Sequence, residues 1–388
     1  MAAKSTDRHF ASSSSSFSTP APKILLAKPS PSSPSSFSVS KDDSSSRSRS
    51  SSLGSLNLLS VDSWELNTDR ALPFLSDNTD FTVIGIIGPP GVGKSTIINE
   101  LYGFDGNSPG MLPSFATQTE ETKAMARHRT NGIEMRVSAE RLILLDTQPI
   151  FSSSILAEMM KSDGSSSIPI VDGDYVPAVL AHEIMGIQLG VFLSSICHVL
   201  LVVSEGIHDI SSWHLMSTVD LLKHNIPDPS LLSSGNTQST APILDNEFLS
   251  MPIFVHTKLQ QHQLSSSSVN AFRKTLSQYF AHSSFCTKRK SSNSVKDSVT
   301  SLDSAPPLFM LPLDVVAGSS NLGYESFSLA LERLRDKILS LQHQSFERTI
   351  SEREWARNAS KIWAIVKKSP TMAEFFKTLK YPRIFKRS

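Results

Sequence analysis

The segment Gly88-Pro-Pro-Gly-Val-Gly-Lys-Ser95 matches G-x-x-x-x-G-K-[ST] at every fixed position. That spacing suits one task, wrapping consecutive backbone N–H groups around a phosphate. Gly88, Gly91 and Gly93 allow the torsions and the close approach, and Val92 sits between the last two. Lys94 is placed to bridge the β-phosphate and a γ-phosphate. Ser95 is placed to hold Mg²⁺ through its hydroxyl, and Thr96 continues the loop into a helix whose amino terminus favours anions. Two further residues fit the same ion. Asp146 closes the apolar run Arg141-Leu-Ile-Leu-Leu-Asp146, where a carboxylate can hold Mg²⁺ through water. Thr130 precedes the next alternating run, as a loop threonine over the metal would, although Thr117, Thr119 and Thr122 compete for that part.

The hardware for turnover is degraded. A phosphate-sensing D-x-x-G would present a glycine N–H, but the chain reads Asp146-Thr-Gln-Pro149, and proline has no N–H. Ile150 stands where a water-orienting glutamine would follow, which predicts very slow hydrolysis. Gln148, one step early, is the alternative that could complete an active GTPase or ATPase, as is a residue supplied by a partner. Base recognition is weakened too: Thr257-Lys258-Leu259-Gln260 keeps the first two residues of [NT]-K-x-D but has glutamine for the guanine-reading aspartate. GTP/GDP and ATP/ADP are therefore both expected ligands, with Mg²⁺ optional.

These residues need a sheet to hold them. Phe81–Ile87 is a β-branched strand that enters the glycine loop, and Lys94–Tyr102 is the helix that leaves it. Ile133–Val137, Arg141–Asp146, His198–Val203, Pro252–Thr257 and Pro307–Leu313 read as strands. Between and after them Pro177–Ile196, Ser211–His224, Ser268–Ala281 and Tyr324–Gln342 read as helices. Strands alternating with helices predict an α/β fold, a doubly wound, mainly parallel sheet covered on both faces. The order of the loop, helix, variable loop, strand and strand-aspartate follows the P-loop NTPase plan in its small-GTPase form.

Composition sets the rest. Twenty-three of the first sixty residues are serine, so 1–60 is expected to be a disordered tail. The G-fold domain is expected over 61–345, with polar surface insertions near 227–247 and 283–305. Residues 346–388 are expected to form amphipathic helices and a basic tail. There Trp355, Ala359, Ile362, Trp363 and Val366 share one stripe, suited to docking within the chain or, less simply, to a partner. Thirty-seven basic against thirty-six acidic residues exclude nucleic-acid binding driven by overall charge, and direct sequence-specific binding is not expected. The apolar stretch Val191–Val203 is too short to span a bilayer, and no secretory signal is expected. Cys197 and Cys286 suit a reducing compartment, cytoplasm or nucleus. His182, His198, His208 and His214 form no convincing metal set and read as core or surface residues.

Taken together, Gly88–Ser95, the run Glu140-Arg-Leu-Ile-Leu-Leu-Asp-Thr-Gln-Pro-Ile150, Cys197-His-Val-Leu-Leu-Val-Val203 and the closing Trp355…Ile362-Trp363…Val366 make the chain similar to the SMG-nine family of nonsense-mediated mRNA decay factors. The Asp-Thr-Gln-Pro string is the specific part. The resemblance implies a nucleotide-bound, largely non-catalytic G-fold subunit. It also implies pairing with the SMG-eight subunit, and binding and restraint of the SMG kinase, a phosphatidylinositol-kinase-like protein kinase that acts on Upf-one, the indirect link to mRNA.

Overall fold

The computed structural model describes residues 56–104, 112–168, 170, 176–232, 248–287, 306–313 and 325–380. Most of the expected serine-rich tail, most of both expected insertions and the basic tail lie outside the described residues. The body from Ser52 onward is one compact unit.

Strand β1 is Leu56–Asn57, and a small hairpin follows from β2 (Leu59–Ser60) and β3 (Glu65–Leu66). Described strands thus occur before the boundary expected at residue 60. The reason is burial: Leu58 and Leu59 are core residues despite their serine-rich neighbourhood. Next come β4 (Thr82–Ile87), α1 (Lys94–Tyr102), the short α2 (Glu120–Ala124), β5 (Ile133–Val137), β6 (Leu142–Thr147), α3 (Ser153–Met159) and α4 (Ala178–Ile196). Then follow β7 (Val199–Glu205), α5 (Ile210–Leu222), β8 (Met251–Leu259), α6 (Ser266–Tyr279), α7 (Ser284–Thr287), β9 (Leu308–Pro312), α8 (Phe327–Ser340), α9 (Glu352–Lys367) and α10 (Pro370–Lys380).

The main sheet runs β1-β5-β6-β4-β7-β8-β9. Strands β6, β4, β7, β8 and β9 are parallel, and β5 and β1 are antiparallel at one edge. From β4 the chain passes to β5, comes back inward to β6 beside β4, and then crosses to the other side of β4 through β7. Winding therefore reverses at β4, and a crevice opens beyond the carboxyl ends of β4 and its neighbours, where open α/β sheets take ligands. This is the doubly wound, small-GTPase-like sheet expected from the alternation of elements.

Side chains alternate along β4. Val83 and Ile87 join a core under α4, α5 and α9, while Ile84 and Ile86 join a second core with α1 and α8. Both faces being covered explains why the central strands are apolar throughout. Helix α4 is long and apolar enough to cross a membrane by length and composition, but 78% of that window is buried inside the protein. It is the central helix of the larger core. His198, at the entry to β7, accepts the Val83 N–H at Nδ1 (2.9 Å) and lies against Phe346 and His343. Burial pushes it down to about 3, so it is a neutral structural residue.

Helix α9 docks on α4 rather than facing outward. Trp355 Nε1 donates to the Ile196 carbonyl (2.9 Å) and Trp363 Nε1 to that of Trp64 (3.3 Å). The Trp363 ring meets Phe192 and Trp64 edge-on at 5.1 and 5.5 Å. At the start of α9 the carboxylate of Glu352, fully buried, accepts from Arg141 and from the backbone and hydroxyl of Ser76. A Ser351–Glu354 capping box closes the same end. The segment expected as a separate carboxyl-terminal region is therefore part of the core, because its apolar stripe needs the α4 face to cover it.

Candidate functional site

Strand β4 delivers Gly88 to the sheet's crevice. A methyl group at Gly88 would lie 2.1 Å from the Val203 carbonyl oxygen, so only glycine lets the loop pass β7. Gly91 and Gly93 turn it with φ of +74° and +91°, and α1 starts at Lys94. The result is a cavity of about 180 Å³. Gly91, Gly93, Lys94, Ser95 and Thr96 form its glycine-loop side. Val92 points into the core instead, and its carbonyl accepts from Thr257 Oγ1 at 2.9 Å.

Ser95 and Thr130, which line the cavity, meet the buried Asp146 beside it, 51 and 16 residues further along the chain. Ser95 Oγ donates to Asp146 Oδ2 at 2.7 Å, Thr130 Oγ1 donates to the same oxygen at 3.0 Å, and the two hydroxyls are 3.5 Å apart. Asp146 is completely buried and its Oδ1 has no partner. One carboxylate and two hydroxyls are oxygen donors of the kind that would suit Mg²⁺. The orphaned oxygen is the observation that favours such an ion. Among the competing threonines, Thr119 caps α2 and Thr117 lines the cavity, whereas Thr130 alone of these touches Asp146.

Burial raises Asp146 to about 6, opposed by the Lys94 charge and the two hydroxyl bonds. Burial lowers Lys94 to about 8, opposed by Asp146. Lys94 Nζ meanwhile donates to the Gly88 and Pro89 carbonyls, both at 3.0 Å. Phosphate would restore to this ammonium the anionic partner it lacks. A carboxyl whose pKa is raised on folding binds its proton more tightly in the folded state. Asp146 should therefore make the nucleotide-free protein less stable as pH climbs from about 4 to about 6, by at most about 3 kcal/mol. Subtracting the pH profile of Asp146→Asn from that of the native chain, both from denaturant melts, should isolate this downward slope. A flat difference would show that the carboxyl is not held in the manner described.

Among the described residues beyond Asp146, the run to Ile150 offers no free backbone donor to the cavity. Pro149 lines it, and the next N–H, that of Ile150, is spent on the Gly88 carbonyl at 3.1 Å. The Ile150 side chain is buried in the α4 core. Gln148 does not reach the cavity: its Oε1 accepts from the Gly132 N–H at 3.0 Å and its own N–H donates to the Gly132 carbonyl at 2.8 Å.

Thr257 and Lys258 lie beside the loop without lining the cavity. Thr257 ties β8 to Val92, and Lys258 pairs with Glu205 at 2.7 Å in the open. Gln260 precedes the following 3₁₀ turn and donates its backbone N–H to Gln263 Oε1 at 2.9 Å. Four cavity residues escaped the sequence argument: Gln118, Lys123, His128 and Arg129. The basic run Lys123, Arg127, His128 and Arg129 just before Thr130 was the available signal.

No family model matches the chain. It is 29% identical over 345 residues to the nonsense-mediated mRNA decay factor SMG9 of Xenopus tropicalis, and 28% identical over the same length to that of Xenopus laevis. Each match covers 82% of this chain and 66% of the relative, so the chain spans just under two thirds of those proteins' length. Among solved structures it is similar to a bacterial selenocysteine-specific elongation factor, EF-Sec, at 12% identity and a TM-score of 0.30, over 67% of this chain and 28% of that one. That likeness is too loose to add to what the strand order already establishes.

Proposed function

We propose that the chain, 28–29% identical to SMG9 nonsense-mediated mRNA decay factors over about 80% of its length, is a nucleotide-holding, largely non-catalytic subunit of that machinery. In this proposal it pairs with the SMG-eight subunit, and the pair binds and restrains the SMG kinase acting on Upf-one, in the cytoplasm. One observation carries the non-catalytic part: the glycine loop and the Ser95–Thr130–Asp146 cluster are intact, yet Pro149 and the committed Ile150 N–H leave the run after Asp146 without a free backbone donor.

The phosphate loop and α1 amino terminus hold the nucleotide tail, with Lys94 neutralising charge. Where Mg²⁺ binds, Ser95, Thr130 and Asp146 hold it, and the ion supplies charge neutralisation for the phosphates. The nucleotide then acts as a ligand of the fold. At 100 times its dissociation constant it adds about 2.7 kcal/mol of stability without being hydrolysed.

A single-turnover assay on the purified protein with its partner tests this. Release of phosphate slower than the lifetime of the bound nucleotide is expected. Repeated turnover that Lys94→Ala abolishes would replace this proposal with an enzyme completed by a partner residue. The bond from Gly132 to Gln148 argues against completion from within the chain. Restoring one donor with Pro149→Gly should leave hydrolysis within about tenfold of the native chain, because Ile150 still offers no group to orient water. A larger gain in phosphate release would mean that the missing N–H was the main defect.

A further inference from the structure

Beside the glycine loop, the cavity is lined by residues of the segment from Thr117 to Thr130, and that segment brings positive charge. Lys123, His128 and Arg129 line the cavity together with Lys94, and no carboxylate lines it among the described residues. The three loop groups are not equivalent. Lys123 is already paired with Glu120 at 2.7 Å. His128 is turned to the Ser154 hydroxyl at 2.8 Å, with Glu158 at 3.7 Å beyond. Arg129 makes no hydrogen bond or ion pair among the described residues.

The backbone of Arg129 is nevertheless held in place, because its neighbour Thr130 is buried and bonded to Asp146 at 3.0 Å. A fork of guanidinium donors is thus rooted beside the cluster suited to Mg²⁺, in the same cavity that Pro149 lines without a donor. Guanidinium matches phosphate oxygens in pairs and stays charged at any physiological pH. Lys94 and the α1 amino terminus serve the part of the tail common to di- and triphosphates.

We propose that Arg129 recognises the terminal phosphate of a bound nucleoside triphosphate, taking over the contact that Pro149 removes from the backbone. This rests on the nucleotide-holding function above and specifies which form of nucleotide the site prefers. The role is one of binding and selection, and no chemical step depends on it.

Calorimetric titration of the full chain in Mg²⁺ tests it, using the β,γ-imido analogues of GTP and ATP alongside GDP and ADP. For whichever base binds, Arg129→Ala should weaken the triphosphate analogue about tenfold or more while leaving the diphosphate within about twofold. Arg129→Lys should recover part of the loss, since it keeps the charge but not the fork. Equal weakening of both forms would reduce Arg129 to a general source of positive potential and overturn the proposal, as would no change in either. If the native chain binds none of the four nucleotides, the function proposed above fails and this assignment falls with it. If the native chain binds them and only the selectivity test fails, the function stands and the assignment alone is lost.

Discussion

Replacing Lys94 by alanine should lower affinity for nucleotide about 100-fold or more, while the nucleotide-free protein melts close to the native one. The two halves of this expectation have one cause. In the free site the ammonium is buried, its pKa is pulled down to about 8, and it is satisfied only by two loop carbonyls. Removing it therefore forfeits little folding free energy, and relief from burying a charge offsets part of the loss. With phosphate present the same ammonium gains charge-assisted bonds, and these disappear with the side chain. Thermal melts with and without saturating nucleotide separate the effects: the native chain should show a ligand-dependent rise in Tm and the variant none. A variant that keeps the full rise would move the ligand away from the glycine loop.

Trp363→Ala should destabilise the fold by about 3–5 kcal/mol, the range for emptying a large buried aromatic site. Trp363 is 1% exposed and lies between Phe192 of α4 and Trp64 of the amino-terminal segment. Its indole also satisfies the Trp64 carbonyl at 3.3 Å. That carbonyl belongs to a residue held at φ of +52°, a conformation a non-glycine residue adopts only when its surroundings impose it. The loss should thus loosen residues 56–66 as well as α9. Urea melts should show a lower midpoint, and hydrogen exchange should show lost protection in both segments. If the midpoint is unchanged and only assembly with a partner is impaired, the tryptophan stripe serves an interface and not the core.

The candidate site was legible in the sequence where its chemistry is local. The Gly88–Ser95 spacing, the acid closing an apolar strand and the proline without an N–H are covalent facts, and their consequences follow from the backbone alone. Strand and helix order was legible for the same reason, since apolar periodicity is set by which faces are covered. Thr130 was one candidate among four, and only its approach to Asp146, 16 residues away, selects it. Arg129 was not singled out because a basic run reads as a solvated surface until the fold brings it to the cavity.

Elsewhere the deciding contacts join distant parts of the chain. Gln148 looked able to replace a water-orienting residue, but the antiparallel pairing of β5 with β6 brings Gly132 to it and occupies its oxygen. The Trp363 stripe was compatible with a partner until packing supplied Trp64, 299 positions earlier. Glu352 reads as an ordinary first-turn acid, yet the fold buries it against Arg141 and Ser76. Residue types and short spacings therefore determined the phosphate-loop pattern and which backbone donor is missing beside it. The tertiary structure decided which groups remain free to meet a ligand, because a side chain's availability depends on the partners that chain closure brings to it.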